Sequence, residues 1–519
     1  MRFRSLYERG RVPILATLPV IPLYAVWGVF LATGGGDLAA QYAWAGFVAR
    51  HPGSAYNLFW YGGMHTANYS LLSPHLMAWL GVRTVTIVSG VAASWLAARL
   101  LERTGIKRPL WPALLVSLAL WCNVASGRTT FALGVAIGLA GCLALVGPKS
   151  RPVLAATGSA LATMASPVAG LFVAVAGAGY LFTRRYREAA ALLVPPFLVV
   201  ALTTALFPFQ GEQPMAAGRI WQPALLSAAV LLAPREWRAL RIGAAVYAVG
   251  VVLTYLIASP IGTNVERLAE LLAPAALLTA AMGPRLHLVR RLALVVALCL
   301  SVNWVAQKTI DDLRVSTTVP AWASDTKAVI AALDRLGADR TRVEVVPARN
   351  HREASGLAPY VNSARGWNRQ LDVERGRLFY DGSFTPGAYR AWLNGSAVGY
   401  IVLPDGKPDG PAEQEAALVR SEPDWLEPVW RDTHWRVYRV RDAVPLVSAP
   451  ATVVRSDSAE LVLQVERPGS VTVRIDYSPW LWSDRGCLEQ TGRWTRLTAP
   501  SAGEYRLSSR YRPPWSSQC

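Results

Sequence analysis

One carboxylate stands where a long apolar run ends. Residues 12–33 are mostly apolar, and "GGGD" follows, closing on Asp37. An acid at the edge of a bilayer is partly desolvated, and ionisable groups at such depth are costly enough to be candidates for function. Asp37 has the chemistry of a general base, able to take a proton from a hydroxyl within hydrogen-bond reach. The competing reading is a cap for a helix beginning at Leu38. Two guanidiniums are candidates for holding an opposite charge. Arg267, in "SPIGTNVERLAELLAP" (residues 259–274), heads an apolar segment, and Arg128 follows "NVASG". The planar fork of Arg suits a phosphate better than the point charge of Lys does. For Arg267 the alternatives are a salt bridge to Glu266 or Glu270, or snorkelling to headgroups. His65, beside "YGGM", is a third phosphate candidate. Like His51 and His75, it has no metal-ligand spacing and reads equally as a hydrogen-bonding loop residue.

Two stretches are rich in rings and polar groups. In "HPGSAYNLFWYGGMHTANYSLLSP" (residues 51–74), Trp60, Tyr61 and Tyr69 could stack on sugar rings or form an aromatic belt at headgroup level. In residues 363–393, Arg365, Trp367, Arg369, Asp372, Tyr380 and Asp381 suit a glycan, or packing between subdomains. Trp480 and Trp482 add to that set. Residues 309–519 carry no nucleophile motif, Walker loop or zinc spacing. Cys487 and Cys519 fall in that part too. They would pair in an oxidising compartment or remain thiols elsewhere.

The elements that must position these residues follow from composition. The chain has 519 residues, 52% hydrophobic and 17% charged. Soluble domains are about 25% charged, so much of this chain belongs in lipid. Apolar runs recur up to about residue 308, after which polarity rises to the end, leaving a soluble part long enough for its own core. The net charge of +18 suggests nucleic acid at first sight. In the first half, however, Arg and Lys gather in short gaps between apolar runs, at residues 2–11, 99–108, 149–151, 184–187, 235–241 and 285–291. That is positive-inside patterning, and no nucleic-acid partner is expected.

Each basic gap should be cytoplasmic, so the apolar stretch between consecutive gaps goes out and back. The outward turns carry Gly, Pro, Asn or Ser, which break helices. The count is about eleven spans, with residues 152–183 either two full spans or a re-entrant pair. The N-terminus is inside, the C-terminal part is outside, and the chain is multi-pass in the plasma membrane. The basic start is read as flanking a span rather than a cleaved signal, because about twenty apolar residues follow it. The outer loops hold the polar residues; the inner ones hold little besides Arg and Lys.

Residues 38–50 predict a short helix lying along the interface, with Leu38, Tyr42, Ala45 and Val48 or Ala49 at helical spacing. Beyond residue 310, "SDTKAVIAALDRLGADRTRVEVVP" reads helix then strand, and "AVGYIVLPD" a buried strand. Alternating stretches such as "GSVTVRIDYSPWL" predict strands between turns. The expected fold is a mainly α polytopic membrane protein with a C-terminal extracytoplasmic α/β plus β-sandwich domain. Its parts are 1–310, including a long first outer loop at 34–75, then 311–442 (α/β) and 443–519 (β-sandwich-like).

A first span, an acid at its outer end and a long outer loop with interfacial helices together resemble the GT-C superfamily of membrane glycosyltransferases. "GGGDLAAQYAWAGFVARHPG…WYGG…Y…LSP" is similar to their first loop, and "SPIGTNVERL" to a late outer loop of actinobacterial members. The resemblance covers roughly residues 1–310. It implies transfer of a sugar from a polyprenyl-phosphate donor to a cell-envelope polysaccharide or glycolipid acceptor outside the membrane, usually with inversion. On this chain it makes Asp37 the base, with Arg267 and Arg128 neutralising the leaving phosphate. Many relatives carry paired acids on that loop. Here Leu38 follows Asp37, so no cofactor and no obligatory divalent metal are expected. The rival classes are a transporter or flippase of envelope glycans or lipids, and a non-catalytic polysaccharide-binding scaffold. The first would favour internal repeats and charge near mid-bilayer; the second would make Asp37 dispensable.

Overall fold

The computed structural model describes residues 2–147, 149–283 and 286–511, with side chains from residue 10 onward. The chain forms two compact units. One comprises residues 1–33 and 70–317, the other 34–69 and 318–519.

The first unit is helical. Among the described residues, five of its helices are long and apolar enough to cross a bilayer: Gly10–Leu31, Val82–Arg103, Tyr186–Leu206, Arg238–Leu256 and Leu288–Ser316. The expected total of about eleven spans is reached only if the shorter apolar helices also cross. Among these, Pro152–Ala165 and Pro167–Phe182 have 14 and 16 residues, hence lengths of roughly 21 and 24 Å. They break at Ser166, whose backbone is extended ahead of Pro167, the conformation that a following proline favours.

Small residues let these helices approach closely, as association between helices in lipid requires. A Cβ on Gly158 would lie 2.8 Å from Gly141 Cα, and one on Gly134 would lie 2.7 Å from Ala169 Cβ. Phe131, Phe172, Leu120 and Leu271 fill the space between them. Large apolar side chains such as Val29, Phe30, Val153, Phe197 and Val289 point outward, exposed. An apolar exterior of this extent suits lipid rather than water.

The second unit is mixed. Residues 34–69 supply the helix Asp37–Arg50 and a small hairpin, β1 (Tyr56–Asn57) with β2 (Met64–His65). The strands β3 (Arg342–Val345), β4 (Val398–Pro404), β5 (Leu426–Arg431) and β6 (Trp435–Val440) form a sheet in the order β3-β4-β6-β5. Only β3 and β4 are parallel in it. Every residue of β4, "VGYIVLP", is buried, as expected of a strand covered on both faces.

Seven further strands follow: β7 (Ala451–Ser456), β8 (Glu460–Val465), β9 (Gly469–Asp476), β10 (Leu481–Ser483), β11 (Cys487–Thr491), β12 (Trp494–Ala499) and β13 (Gly503–Ser509). They form antiparallel sheets ordered β10-β13-β8-β7 and β11-β12-β9. Val471, Val473 and Leu497 from one sheet share a core with Leu461, Leu463 and Tyr505 from the other. Cys487 is disulfide-bonded; Cys519, the partner expected for it, lies outside the described residues.

The first outer loop differs from the expected interfacial segment. Tyr56, Leu58 and Phe59 belong to the core of the two antiparallel sheets. Leu58 N–H donates to Ser458 O at 2.9 Å, and Asp476 N–H to Gly62 O at 2.8 Å. The helix Asp37–Arg50 buries Leu38, Ala39, Ala40, Gln41, Ala43, Trp44, Ala45, Phe47 and Val48. Burial around so much of its circumference is that of a core helix, not of one lying on a membrane surface.

Candidate functional site

Asp37 opens the first turn of its 14-residue helix, so the capping position falls to Gly36, which has no side chain. Gly36 adopts φ 63°, ψ −138°, a conformation that essentially only glycine takes without strain. Both its backbone groups are held. Its N–H donates to Asn350 O at 2.8 Å, and its carbonyl accepts from Trp367 Nε1 at 3.1 Å. Asp37 is itself half-buried. A carboxylate in a first helical turn faces the positive end of the helix dipole.

Behind Trp367 lies a group of charges. The Trp367 ring stacks on His351 at 3.5 Å between centroids, inclined by 12°. His351 has a left-handed backbone (φ 54°) just before the helix Arg352–Leu357. Its Nδ1 is 3.5 Å from Glu353 Oε1, and its Nε2 is 3.8 Å from Asp409 Oδ2. Arg369 donates to Asp409 at 2.7 Å and to Tyr380 Oη at 2.6 Å, with its guanidinium 4.9 Å from the Trp367 ring centroid. Burial pushes the Glu353 carboxyl above its ordinary range, against the pull of His351. Burial also raises Asp409, but His351 and Arg369 outweigh it and hold the group below the usual value.

The residues predicted to bind an acceptor therefore separate. Trp367 and Arg369 are half-buried, and Trp367 donates to the Gly36 carbonyl next to Asp37. Asp372 lies deeper, accepting from Tyr61 Oη at 2.6 Å and from Tyr380 Oη at 3.3 Å. Trp60 and Tyr61 are each 1% exposed and present no open ring face. Arg365 is in the core, bound by Glu344 and Glu415 beneath the Phe379 ring. His65 is buried too. Its Nε2 is 2.7 Å from Ser478 Oγ, and burial holds the imidazole down at about 3. A neutral, enclosed ring of this kind is a structural partner of Ser478 rather than a phosphate ligand.

The two guanidiniums named from sequence share one neighbourhood in the helical unit. Arg128 donates through Nη1 to Glu270 Oε2 at 2.7 Å and through Nη2 to Asp312 Oδ2 at 3.3 Å. Arg267 lies over the Phe131 ring, 5.3 Å from its centroid. Lys308 bridges Glu266, at 2.6 Å, and Glu270. Arg219 Nη1 is 3.7 Å from Glu266 Oε2. Lys308 and Asp312 were not singled out from the sequence. They extend the last helix four residues apart, hence on one face, and this spacing was the available signal. His351, Glu353 and Asp409 were missed as well. The polar run "RNHRE" (residues 349–353), shortly after a buried strand, was the only mark of His351 and Glu353, and Asp409 had none. Among the described residues, no group of three or more His, Cys, Asp or Glu is placed to hold a metal ion.

Residues 448–485 match a family model described as a domain of unknown function (DUF8823). No curated protein matches the sequence. Among solved structures, a mutant form of the mycobacterial arabinofuranosyltransferase AftD is similar, with 13% identity and a TM-score of 0.46. The alignment covers 96% of this chain and 60% of that one, so the chain spans little more than half the length of that protein.

Proposed function

We propose that the protein is a membrane glycosyltransferase. In this reading it moves a sugar from a polyprenyl-phosphate donor to a hydroxyl of an envelope polysaccharide or glycolipid, on the outer face of the plasma membrane. The observation that carries the reading is the anchoring of Asp37: a half-buried acid in a first helical turn, following a glycine whose N–H and carbonyl are both bound. Such fixing of a base before the substrate arrives is what general-base catalysis needs. The five long apolar helices put the protein where a lipid-linked donor is confined.

In the proposed step, the acceptor oxygen attacks the anomeric carbon as Asp37 removes its proton. The bond from that carbon to the phosphate oxygen breaks, and its electron pair leaves with the phosphate. One glycosidic bond forms, the anomeric configuration inverts, and the proton passes from Asp37 to water. Arg267 and Arg128 oppose the charge developing on the leaving phosphate, and no divalent ion is required. Trp367 and Arg369 contribute to acceptor binding. About eleven crossings, with the N-terminus inside and the mixed unit outside, belong to the same proposal.

A second reading, transport of an envelope glycan or lipid, is favoured by one observation. Glu266, Glu270, Lys308 and Arg128 form a network of ion pairs within a helical membrane unit, and such groups often mark transport pathways. The test is the purified full chain in nanodiscs and vesicles, given a panel of radiolabelled polyprenyl-phosphosugars and an envelope glycan. Labelled glycan supports transfer. Label that changes leaflet without forming product supports transport and removes the enzyme.

A further inference from the structure

The two hydrogen bonds that hold Gly36 from outside its own helix lead back to one residue. The carbonyl that accepts from the Gly36 N–H, at 2.8 Å, belongs to Asn350, the chain neighbour of His351. The indole N–H that donates to the Gly36 carbonyl belongs to Trp367, whose ring stacks on His351. His351 is 4% exposed and adopts φ 54°, ψ 23°. L-residues avoid this left-handed conformation, though His and Asn enter it more readily than most. Strained backbone persists where its surroundings over-determine it, and it gathers at working sites. Here Arg349 N–H donates to Lys407 O at 2.9 Å and Asp409 N–H to Pro347 O at 2.8 Å, tying the chain before His351 to the segment that carries Asp409. The Asn350 side chain is occupied as well, accepting from Arg352 N–H at 3.3 Å.

The imidazole is not held through its nitrogens. Nδ1 has no hydrogen-bond partner, and Nε2 stands 3.8 Å from Asp409 Oδ2, too far for one. Its closest ring contact is the flat one with Trp367, 3.5 Å between centroids. We propose that His351 is a positioning residue for the base. Its ring steadies the Trp367 indole and its backbone aims the Asn350 carbonyl, so the Gly36 peptide, and with it Asp37, is fixed from both sides. The proposal rests on the glycosyltransferase reading, in which Asp37 is the base, and names what sets the position of that base. His351 touches neither donor nor acceptor in it and acts through Trp367 and Asn350. An indole free to tilt releases the Gly36 carbonyl, and a displacement of the base by about 1 Å costs on the order of a hundredfold in rate.

The test uses the full chain in nanodiscs. His351→Asn removes the ring and keeps a residue that tolerates a left-handed backbone. Trp367→Phe keeps a flat ring for stacking and removes the N–H. Each should lower single-turnover sugar transfer at saturating acceptor by about tenfold to a hundredfold, with binding of the lipid phosphosugar unchanged. The double variant should be no slower than the slower single one, because both changes break the same linkage. Losses that multiply, or a wild-type rate in His351→Asn, overturn the proposal. The linkage is also read without turnover, by amide hydrogen exchange over residues 34–38. Exchange at Gly36 should be faster in both single variants; unchanged exchange in His351→Asn overturns the proposal. If His351→Asn does not fold, His351→Phe takes its place with the opposite expectation. Its flat ring should keep Gly36 protected, and lost protection overturns the proposal. A wild type that transfers no sugar removes the enzyme reading and leaves the exchange comparison intact.

Discussion

The most quantitative prediction concerns Glu344→Gln. Glu344 is 0% exposed and shares the Arg365 guanidinium with Glu415, while Tyr389 Oη donates to Glu415 at 2.8 Å. Two buried carboxylates thus face one cation. Burial is the largest cause, opposed by Arg365 and assisted by Glu415, and Glu344 is pushed up to about 8 from 4.5. A carboxyl raised on folding binds its proton more tightly in the folded state. Its stabilising contribution is full below the unfolded value and is lost as pH climbs through the folded one. A rise of about 3.5, at about 1.4 kcal/mol for each pH step of one, is about 5 kcal/mol, most of it lost from about pH 5 to about pH 8. The glutamine is neutral at every pH and still accepts from Arg365 Nε, which lies 2.9 Å from Glu344 Oε1. Thermal unfolding of the purified chain, followed by tryptophan fluorescence, should show the wild-type Tm falling through this window. The variant should be nearly flat in comparison, ending higher by on the order of 10 °C at the alkaline side. Parallel Tm curves for the two proteins would refute the raised Glu344 carboxyl in this core.

Other perturbations probe other parts of the structure. Gly36→Ala places a Cβ on a backbone at φ 63°, ψ −138° and costs about 1–3 kcal/mol of strain; sugar transfer should drop about tenfold or more while the bulk of the fold persists by circular dichroism, and unchanged transfer would free Asp37 from dependence on that turn. Asn368→Ala removes the side chain that accepts from Leu371 N–H at 3.0 Å. It should cost about 1 kcal/mol, read as a lower Tm, and no change would deny the cap a role. Gly158→Leu inserts a side chain where a Cβ already meets Gly141 Cα at 2.8 Å. Overpacking of about 1–3 kcal/mol should lower the Tm of the helical unit in detergent, and an unchanged midpoint would mean that this pair is not tightly packed.

Membrane character was legible because apolar runs and basic gaps are long-range patterns that no local contact can hide. The strands were legible for a related reason: "VGYIVLP" and "GSVTVRID" carry strong β-propensity, and they became β4 and β9. What could not be read was where residues 34–69 belong. An aromatic stretch has the same composition whether it lines a headgroup belt or fills a core, and Tyr56, Leu58 and Trp60 fill cores. The last membrane helix also outran its reading. It continues to Ser316 because Lys308 and Asp312 find opposite charges on other segments, pairings that only the fold reveals. The group around Asp37 was half visible: Trp367 and Arg369 stood out as an aromatic and a cation in a polar loop. His351 stood only within a polar run and Asp409 in a segment with no chemical signature of its own, and they join only through stacking and charge.

The central claim is that Asp37 removes a proton from the acceptor, and one comparison tests it most directly. Wild type and Asp37→Asn, with matched Tm and matched binding of the lipid phosphosugar, would be assayed for single-turnover sugar transfer. Removal of a general base should lower the rate by about 10²–10⁴ with little change in donor affinity. Equal rates for the two proteins would contradict the account.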